Sequence, residues 1–277
     1  MSTSRAARVR LFSKRIRRGW DVRARALRRW QKRARSVLRP LQAAPAALRI
    51  AVILVAMLAI LAAANLVYQV ARKPTELAFA VSGALDKRPA ETWRQYAPLF
   101  RKYSTAAITP ELLAALAQVE GAGNPLARTY WRWRLSWNPL EIYRPASSAV
   151  GTYQMTEAAF AEARRYCIRH HTVVEDCWLN GLYMRVIPSH AVELTAVFLD
   201  RNVARILARR PNLTATPRQA QDLAAVVHLC GPGAARAFAR RGFAPVAGQR
   251  CGDHDVATYL ARVKAMQREF RRLAAST

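Results

Sequence analysis

The chain has 277 residues, of which 52% are hydrophobic, and it carries a formal net charge of +28. This length accommodates one mid-sized domain with extensions, or two small domains, and excludes a larger array. The charge is uneven: residues 1–49 hold 16 Lys and Arg against one acid, whereas the remaining residues hold 29 basic and 16 acidic side chains. So basic a surface favours an anionic polymer, a cell wall or a membrane as partner.

The basic leader, residues 1–49, places apolar side chains at helical intervals among its arginines. This pattern is typical of an amphipathic helix that lies on anionic lipid. A solvated, disordered arm fits the same composition, and nucleic acid would use the same charges. The apolar run that follows favours lipid, so we expect no nucleic-acid partner.

Residues 50–71 form a run of 22 residues without a charge, between Arg49 and Arg72. About 20 mostly apolar residues suffice for a helix to cross a bilayer. A buried helix and a cleaved signal peptide are the alternatives, but the long leader and the length of the run favour an uncleaved signal anchor. The positive-inside rule then places residues 1–49 in the cytoplasm and residues 74–277 across the membrane.

All four cysteines lie beyond this anchor, where an oxidising compartment would permit disulfides. Three pairings are possible, and we favour Cys167–Cys177 and Cys230–Cys251 because each closes a short loop between predicted helices. Two histidines close to the first pair raise zinc as an alternative. The spacings typical of zinc ligands are missing, so we predict no metal.

Residues 72–107 are predicted to be a connector with a helical stretch, and residues 108–277 a helical domain. Capping residues, some followed by a proline in the first turn, mark the helix starts. Almost no segment beyond the anchor alternates with period two, which predicts little or no sheet. The fold class is therefore all-α, preceded by a single transmembrane helix. Helices are predicted to begin at or after Thr109, Thr156, Ser189, Thr216 and Asp255, the second covering Glu157–Ile168.

Glu120 is the strongest candidate for a catalytic residue. It shares one helix stripe with Leu113 and Leu116, directly before a glycine-rich break. Burial on such an apolar stripe disfavours the charged form of a carboxyl group, which suits a glutamate to donate a proton. A helix-terminal Glu that reaches solvent is the ordinary alternative.

Three motifs, in order, resemble those of soluble-lytic-transglycosylase-like domains. Glu-Gly-Ala-Gly-Asn-Pro at residues 120–125 is similar to their Glu-Ser-x-x-Asn-Pro, and residues 147–156 are similar to their Ser-x-x-Gly-Ala-x-Gly-Leu-Met-Gln. His-Leu-Cys-Gly-Pro-Gly at residues 228–233 stands in the place of their Tyr-Asn-Ala-Gly-Pro-Gly. Tyr259 matches the tyrosine of their last helix, so the resemblance covers residues 105–270.

The resemblance implies a lysozyme-like helical domain that cleaves the β-1,4 bond between N-acetylmuramic acid and N-acetylglucosamine in peptidoglycan. It implies a 1,6-anhydro product, no cofactor, and a location on the periplasmic side of a bacterial inner membrane. Because the sugar's own 6-hydroxyl attacks, Glu120 alone would act as acid and then as base. The side chains expected around the glycan are Ser147, Ser148, Tyr153, Gln154 and Tyr259.

The sequence departs from the family motifs in ways that affect chemistry. Gly121 replaces the serine after the catalytic glutamate, and Leu229 replaces an asparagine of the sugar groove. Thr152 and Tyr153 replace a leucine and a methionine. Tyr153 could stack on a sugar or form a hydrogen bond near Glu120, although a packing role is the more frequent case. Gly121 and Leu229 favour the alternative of a non-catalytic peptidoglycan-binding scaffold.

A 21-residue insertion between Pro125 and Ser147 is rich in tryptophan and arginine. Trp131 and Trp133 could stack on sugar rings, clamp the loop onto the domain, or rest on the membrane surface, and the pattern does not separate these roles. Glu141 is the best candidate for a second carboxylate, although pairing with Arg144 is the more ordinary role. A second carboxylate would favour a goose-type-like muramidase, which uses water.

Histidines and nucleotide motifs add little to these hypotheses. His190 and His228 could serve as bases, but an ordinary packed or exposed histidine is the more frequent case. The sequence contains no glycine-rich phosphate loop and no recognisable Ser/His/Asp arrangement.

Overall fold

The computed structural model describes residues 43–80, 82–175, 177–209 and 214–276. These residues are mostly helical, with 62% in helices and 8% in strands, which confirms the predicted helical class. The predicted amphipathic helix of the leader falls almost entirely on residues 1–42, which lie outside the described residues. The α-helices are α1 (Ala46–Arg72), α2 (Pro89–Lys102), α3 (Pro110–Gly121), α4 (Glu157–Ala163), α5 (Pro188–Ala208), α6 (Pro217–Arg240) and α7 (Val256–Ala275). Shorter 3-10 helices lie at Pro74–Ala80, Ser82–Leu85, Pro139–Glu141 and Asn180–Leu182.

Six short strands form three antiparallel hairpins in the described residues. Each hairpin joins strands that are neighbours in sequence, so each is a local feature on the helical body. In the first hairpin, Trp131 is opposite Pro145 and Trp133 is opposite Tyr143. The strands are β1 (Trp131–Trp133), β2 (Tyr143–Pro145), β3 (Cys167–Arg169), β4 (Thr172–Val174), β5 (Arg250–Cys251) and β6 (His254–Asp255).

Helix α1 is long and apolar enough to cross a membrane, in agreement with the anchor predicted at residues 50–71. Nearly all of its side chains from Ile50 to Ala64 are exposed, as expected for a helix whose solvent is lipid. The described residues divide into two compact units, with the boundary between Ala64 and Asn65. The last two turns of α1 therefore belong to the second unit.

Helix α3 lies in the core of the second unit. Its residues 112–117 are all apolar and fully buried, because α3 packs against α2 and α7 on different sides. Helices α5 and α6 pack against each other and complete the core. This burial fixes the direction of α3, and with it the position of Glu120 in its last turn.

The segment at residues 72–107, predicted to be a connector, is instead partly built into this core. Helix α2 buries Trp93, Tyr96 and Phe100. The rings of Trp93 and Phe270 of α7 lie 5.7 Å apart. Residues 89–102 are thus part of the helical body, because their aromatic side chains cover α3 and α7.

Local capping agrees with the sequence at most helix starts. The side chains of Thr109, Thr156, Thr216 and Asp255 each accept a hydrogen bond from an amide of the first turn, as predicted. Helix α5 begins at Pro188, one residue before the predicted Ser189.

Helix α4 is shorter than predicted, and both predicted disulfides are present. It ends at Ala163 rather than Ile168, because residues 167–169 pair with residues 172–174 as a hairpin. The Cys167–Cys177 disulfide closes this hairpin, and Cys230–Cys251 joins α6 to β5. The predicted pairings are confirmed.

Candidate active site

Glu120 occupies the last full turn of α3, at the edge of the core. The helix ends at Ala122, whose φ of 48° is left-handed, and Gly123 follows with a φ of 66°. The Glu120 side chain is 17% exposed. The carboxyl group is therefore largely enclosed by protein and still accessible from outside.

Two residues distant in sequence converge on one oxygen of this carboxyl group. The Tyr259 hydroxyl of α7 donates a hydrogen bond of 2.5 Å to Glu120 Oε1. The His228 Nε2 atom of α6 lies 3.6 Å from the same oxygen. Among the residues that the structure describes, none forms a hydrogen bond to Oε2, so this oxygen is the one free to meet a ligand.

Tyr259 is suited to act as a fixed donor. Burial, together with the neighbouring Glu120, raises the pKa of Tyr259 well above its usual value. The phenol is therefore protonated at neutral pH, where it donates to Oε1. A fixed donor of this kind holds the carboxyl group in one orientation.

His228 lies in α6, three residues before the helix is interrupted. The break occurs at Gly231, whose φ of 77° and ψ of 171° are not helical. The imidazole side chain is only 10% exposed. Sequence reasoning gave His228 an ordinary packing role, although its place at the motif's tyrosine could have indicated a contact with the site.

Gly121 brings the segment at residues 147–156 against the end of α3. A Cβ atom at position 121 would lie 2.7 Å from the Thr152 carbonyl oxygen and 3.1 Å from Ala127 Cβ. The serine of the family motif therefore does not fit here without a backbone shift. The glycine is required for packing at this position, and the missing hydroxyl follows from that close approach.

The predicted substrate-binding residues at 147–156 use their polar groups to shape their own loop. Ser147 Oγ accepts from the Ala149 amide and Ser148 Oγ from the Glu157 amide, both at 3.1 Å. Gln154 Nε2 donates to the Gly151 carbonyl oxygen at 3.0 Å. Their hydrogen bonds define the loop that faces Gly121, and none of them reaches Glu120.

Tyr153 does not line an open groove, so its predicted contact with the glycan is not possible and the alternative packing role holds. It is 1% exposed and lies in the hydrophobic core. Burial raises the pKa of its hydroxyl well above the usual value. A ring enclosed in this way cannot stack on a sugar, so its role is packing beneath the 147–156 loop.

The tryptophans of the insertion have different environments. Trp131 Nε1 donates to Glu76 Oε2 at 2.8 Å, which holds β1 onto the body. The Glu76 carboxylate is buried, 1% exposed, and it also pairs with Lys73 at 3.0 Å and Arg128 at 3.2 Å. Trp133 is 75% exposed. Sequence analysis missed Glu76, because nothing local marks an acid whose partners lie up to 55 residues away.

Glu141 is paired with arginines and does not face Glu120. Its carboxylate lies 2.9 Å from Arg72 Nη1 and 3.4 Å from Arg144 Nη1. The candidate second carboxylate is thus part of an ion-pair network, because the 3-10 turn at residues 139–141 places it beside the end of α1. Its pairing with Arg144, the more ordinary role predicted from the sequence, is confirmed. Within the described part of the chain, no group of three His, Cys, Asp or Glu side chains could hold a metal ion.

No protein-family model matches the chain, and no curated protein matches it.

Proposed function

We propose that this protein is a peptidoglycan lytic transglycosylase with a lysozyme-like helical body, held in a bacterial inner membrane by α1. Glu120 is its general acid and base, and the periplasmic glycan strand is its substrate. The observation that carries the proposal is the meeting of Glu120, His228 and Tyr259 at one carboxyl oxygen. These residues come from three of the four places where the sequence resembles the family, namely the first motif, the last motif and the final helix.

In the proposed mechanism, the two oxygens of Glu120 have separate tasks. Because Oε1 accepts from Tyr259, the acidic proton belongs on Oε2, the oxygen without a partner among the described residues. From there it passes to the glycosidic oxygen as the bond to N-acetylmuramic acid breaks. The carboxylate then accepts the proton of the 6-hydroxyl as that oxygen closes the anhydro ring. The proton count balances, no water is consumed, and one carboxylate suffices.

His228 is a supporting group in this scheme. Its Nε2 atom, 3.6 Å from Oε1, can donate to the carboxylate that exists between the two proton transfers. A charge-assisted contact of this kind favours the ionised intermediate over the neutral ground state.

The rest of the chain supports delivery of this site to a wall polymer. Helix α1 is long and apolar enough for an anchor, and both disulfides suit an oxidising compartment. The excess of basic residues favours an anionic polymer such as peptidoglycan. The partners proposed are therefore glycan strands and the inner membrane.

Product analysis tests the activity and the reaction type together. The full-length protein in lipid nanodiscs is incubated with purified sacculi, and the released muropeptides are measured by mass spectrometry. We expect anhydro products, which are lighter than hydrolytic products by one water. Hydrated products would show a goose-type-like muramidase instead. Binding to sacculi without release of products would show a scaffold protein.

Tyr259→Phe is expected to reduce kcat about tenfold, with little change in KM. The substitution removes one hydrogen bond to a carboxyl group, worth about 1–1.5 kcal/mol, and leaves the buried ring in place. Steady-state release of muropeptides measures the effect. Tyr96→Phe, the same change at a buried tyrosine of α2, is the matched control and should retain full activity. Equal rates of muropeptide release for both variants would show that the Tyr259 hydroxyl does not contribute to turnover.

A further inference from the structure

We propose that the tip of the first hairpin, residues 133–142, is a membrane-binding surface. It would insert into the interfacial layer of the leaflet from which the body emerges, beside the anchor helix. This assignment selects one of the roles that the sequence left open for the insertion, and it does not depend on catalytic activity. The partner is a phospholipid surface.

The hairpin tip exposes large apolar side chains to an unusual degree. Leu135 is 103% exposed, Trp137 is 105% exposed and Trp133 is 75% exposed. Several large apolar side chains exposed to this extent on one short loop mark a binding surface more often than an ordinary solvated loop. Tryptophan in particular favours the boundary between lipid headgroups and hydrocarbon.

The hairpin is attached to the end of the anchor helix. Gln69 Nε2 donates to the Leu140 carbonyl oxygen at 2.7 Å, and Arg72 pairs with Glu141 at 2.9 Å. Gln69 is buried by this contact. All four residues belong to the second unit, so the hairpin is fixed to the last turn of α1.

The length of α1 places this last turn at the membrane surface. The uncharged run of residues 50–71 covers about 33 Å at about 1.5 Å per residue, slightly more than the hydrocarbon core of about 30 Å. Gln69 and Arg72 therefore lie at the boundary between the hydrocarbon and the headgroups. A loop bonded to these two residues therefore lies at the depth where tryptophan and arginine are stable.

Charge and rigidity agree with this placement. Arg132 and Arg134 flank the exposed apolar residues and are themselves exposed, which suits anionic headgroups. The bond from Trp131 to the buried Glu76 holds the base of the hairpin on the body. The apolar side chains are thus presented by a fixed support, as a membrane-binding loop requires.

A fluorescent label at the tip tests the proposal. All four cysteines are in disulfides, so Ser136→Cys introduces the one free thiol of the chain. The full-length variant is labelled with an environment-sensitive dye and placed in nanodiscs that contain lipid-borne nitroxide quenchers. We expect blue-shifted emission and several-fold stronger quenching than in the control variant.

Ser276→Cys is the control variant, because it is an exposed serine at the far end of α7. The first residue of α7, Val256, lies close to the hairpin, because Asp253 accepts a hydrogen bond of 2.6 Å from Tyr130 at the base of the hairpin. Ser276 is about 30 Å away along the helix axis. Water-like emission at position 136, or equal quenching at both positions, would overturn the proposal.

A second variant separates insertion from mere proximity. Adding Leu135→Asp and Trp137→Asp to the labelled Ser136→Cys protein should reduce the quenching to the level of position 276, because two carboxylates resist burial in lipid. Both side chains are fully exposed, so these changes should leave the unfolding temperature unchanged. Quenching that survives both substitutions would also count against insertion.

Discussion

Glu120→Gln is expected to lower the release of anhydro-muropeptides by about 10²- to 10⁴-fold. The amide has the shape of the carboxyl group and its oxygen can still accept from Tyr259, but it cannot give up a proton as an acid. Binding to sacculi should therefore persist while turnover is lost. Digestion of purified sacculi by the two full-length proteins, followed by quantification of the products, measures the difference.

Glu111→Gln is the matched control for this experiment. It makes the same chemical change on the same helix. Glu111 lies in the first turn of α3, where its carboxylate interacts favourably with the helix dipole and is remote from Tyr259. This variant should retain activity. If Glu120→Gln were as active as the wild type, the assignment of Glu120 and the enzymatic proposal would both be rejected.

Gly121→Ala is expected to destabilise the folded protein by about 1–3 kcal/mol and to impair turnover. The added methyl group would lie 2.7 Å from a backbone oxygen of Thr152, which cannot turn aside as a flexible side chain can. Either α3 or the 147–156 loop must move, and both carry the site. The loss of stability is measured by thermal unfolding of the full-length proteins, monitored by near-ultraviolet circular dichroism.

Gly181→Ala controls for the general effect of replacing a glycine. A Cβ atom at position 181 would meet nothing within 4 Å, so the substitution should be neutral or slightly stabilising. Unfolding temperatures that agree between the two variants would show that the close approach at Gly121 is relaxed at little cost.

Features that depend on neighbours in sequence were predictable. Thr109 and Asp255 cap helices because their side chains need only reach an amide three residues ahead. The disulfides followed from short separations of 10 and 21 residues. Glu120 was found because its helix stripe and the following glycines are local signals. Tyr259 was matched to the family's last helix, and the structure places it on Glu120 at 2.5 Å.

Features that depend on distant partners were not predictable from the residues alone. Tyr153 was expected near a sugar, yet the core encloses it, and no local pattern distinguishes an enclosed tyrosine from an exposed one. Glu141 was a candidate for the second carboxylate, but it forms an ion pair with Arg72, which lies 69 residues earlier at the end of α1. Helix α4 is shorter than predicted because residues 167–169 pair with the strand at residues 172–174. The apolar spacing that predicted the helix carries no information about this pairing.

The attachment of Lys73 limits where the protein can work. This residue directly follows α1, and its ammonium group already donates to the Ala149 carbonyl oxygen at 2.9 Å. Residue 73 is therefore already bonded into the second unit, and no slack chain separates that unit from the last turn of α1. If the proposed anchor and activity hold, the enzyme works at a constant distance from the membrane surface, and only glycan strands at that distance can reach Glu120. Inserting a flexible spacer after Arg72 would widen the range of distances at which strands can be cleaved.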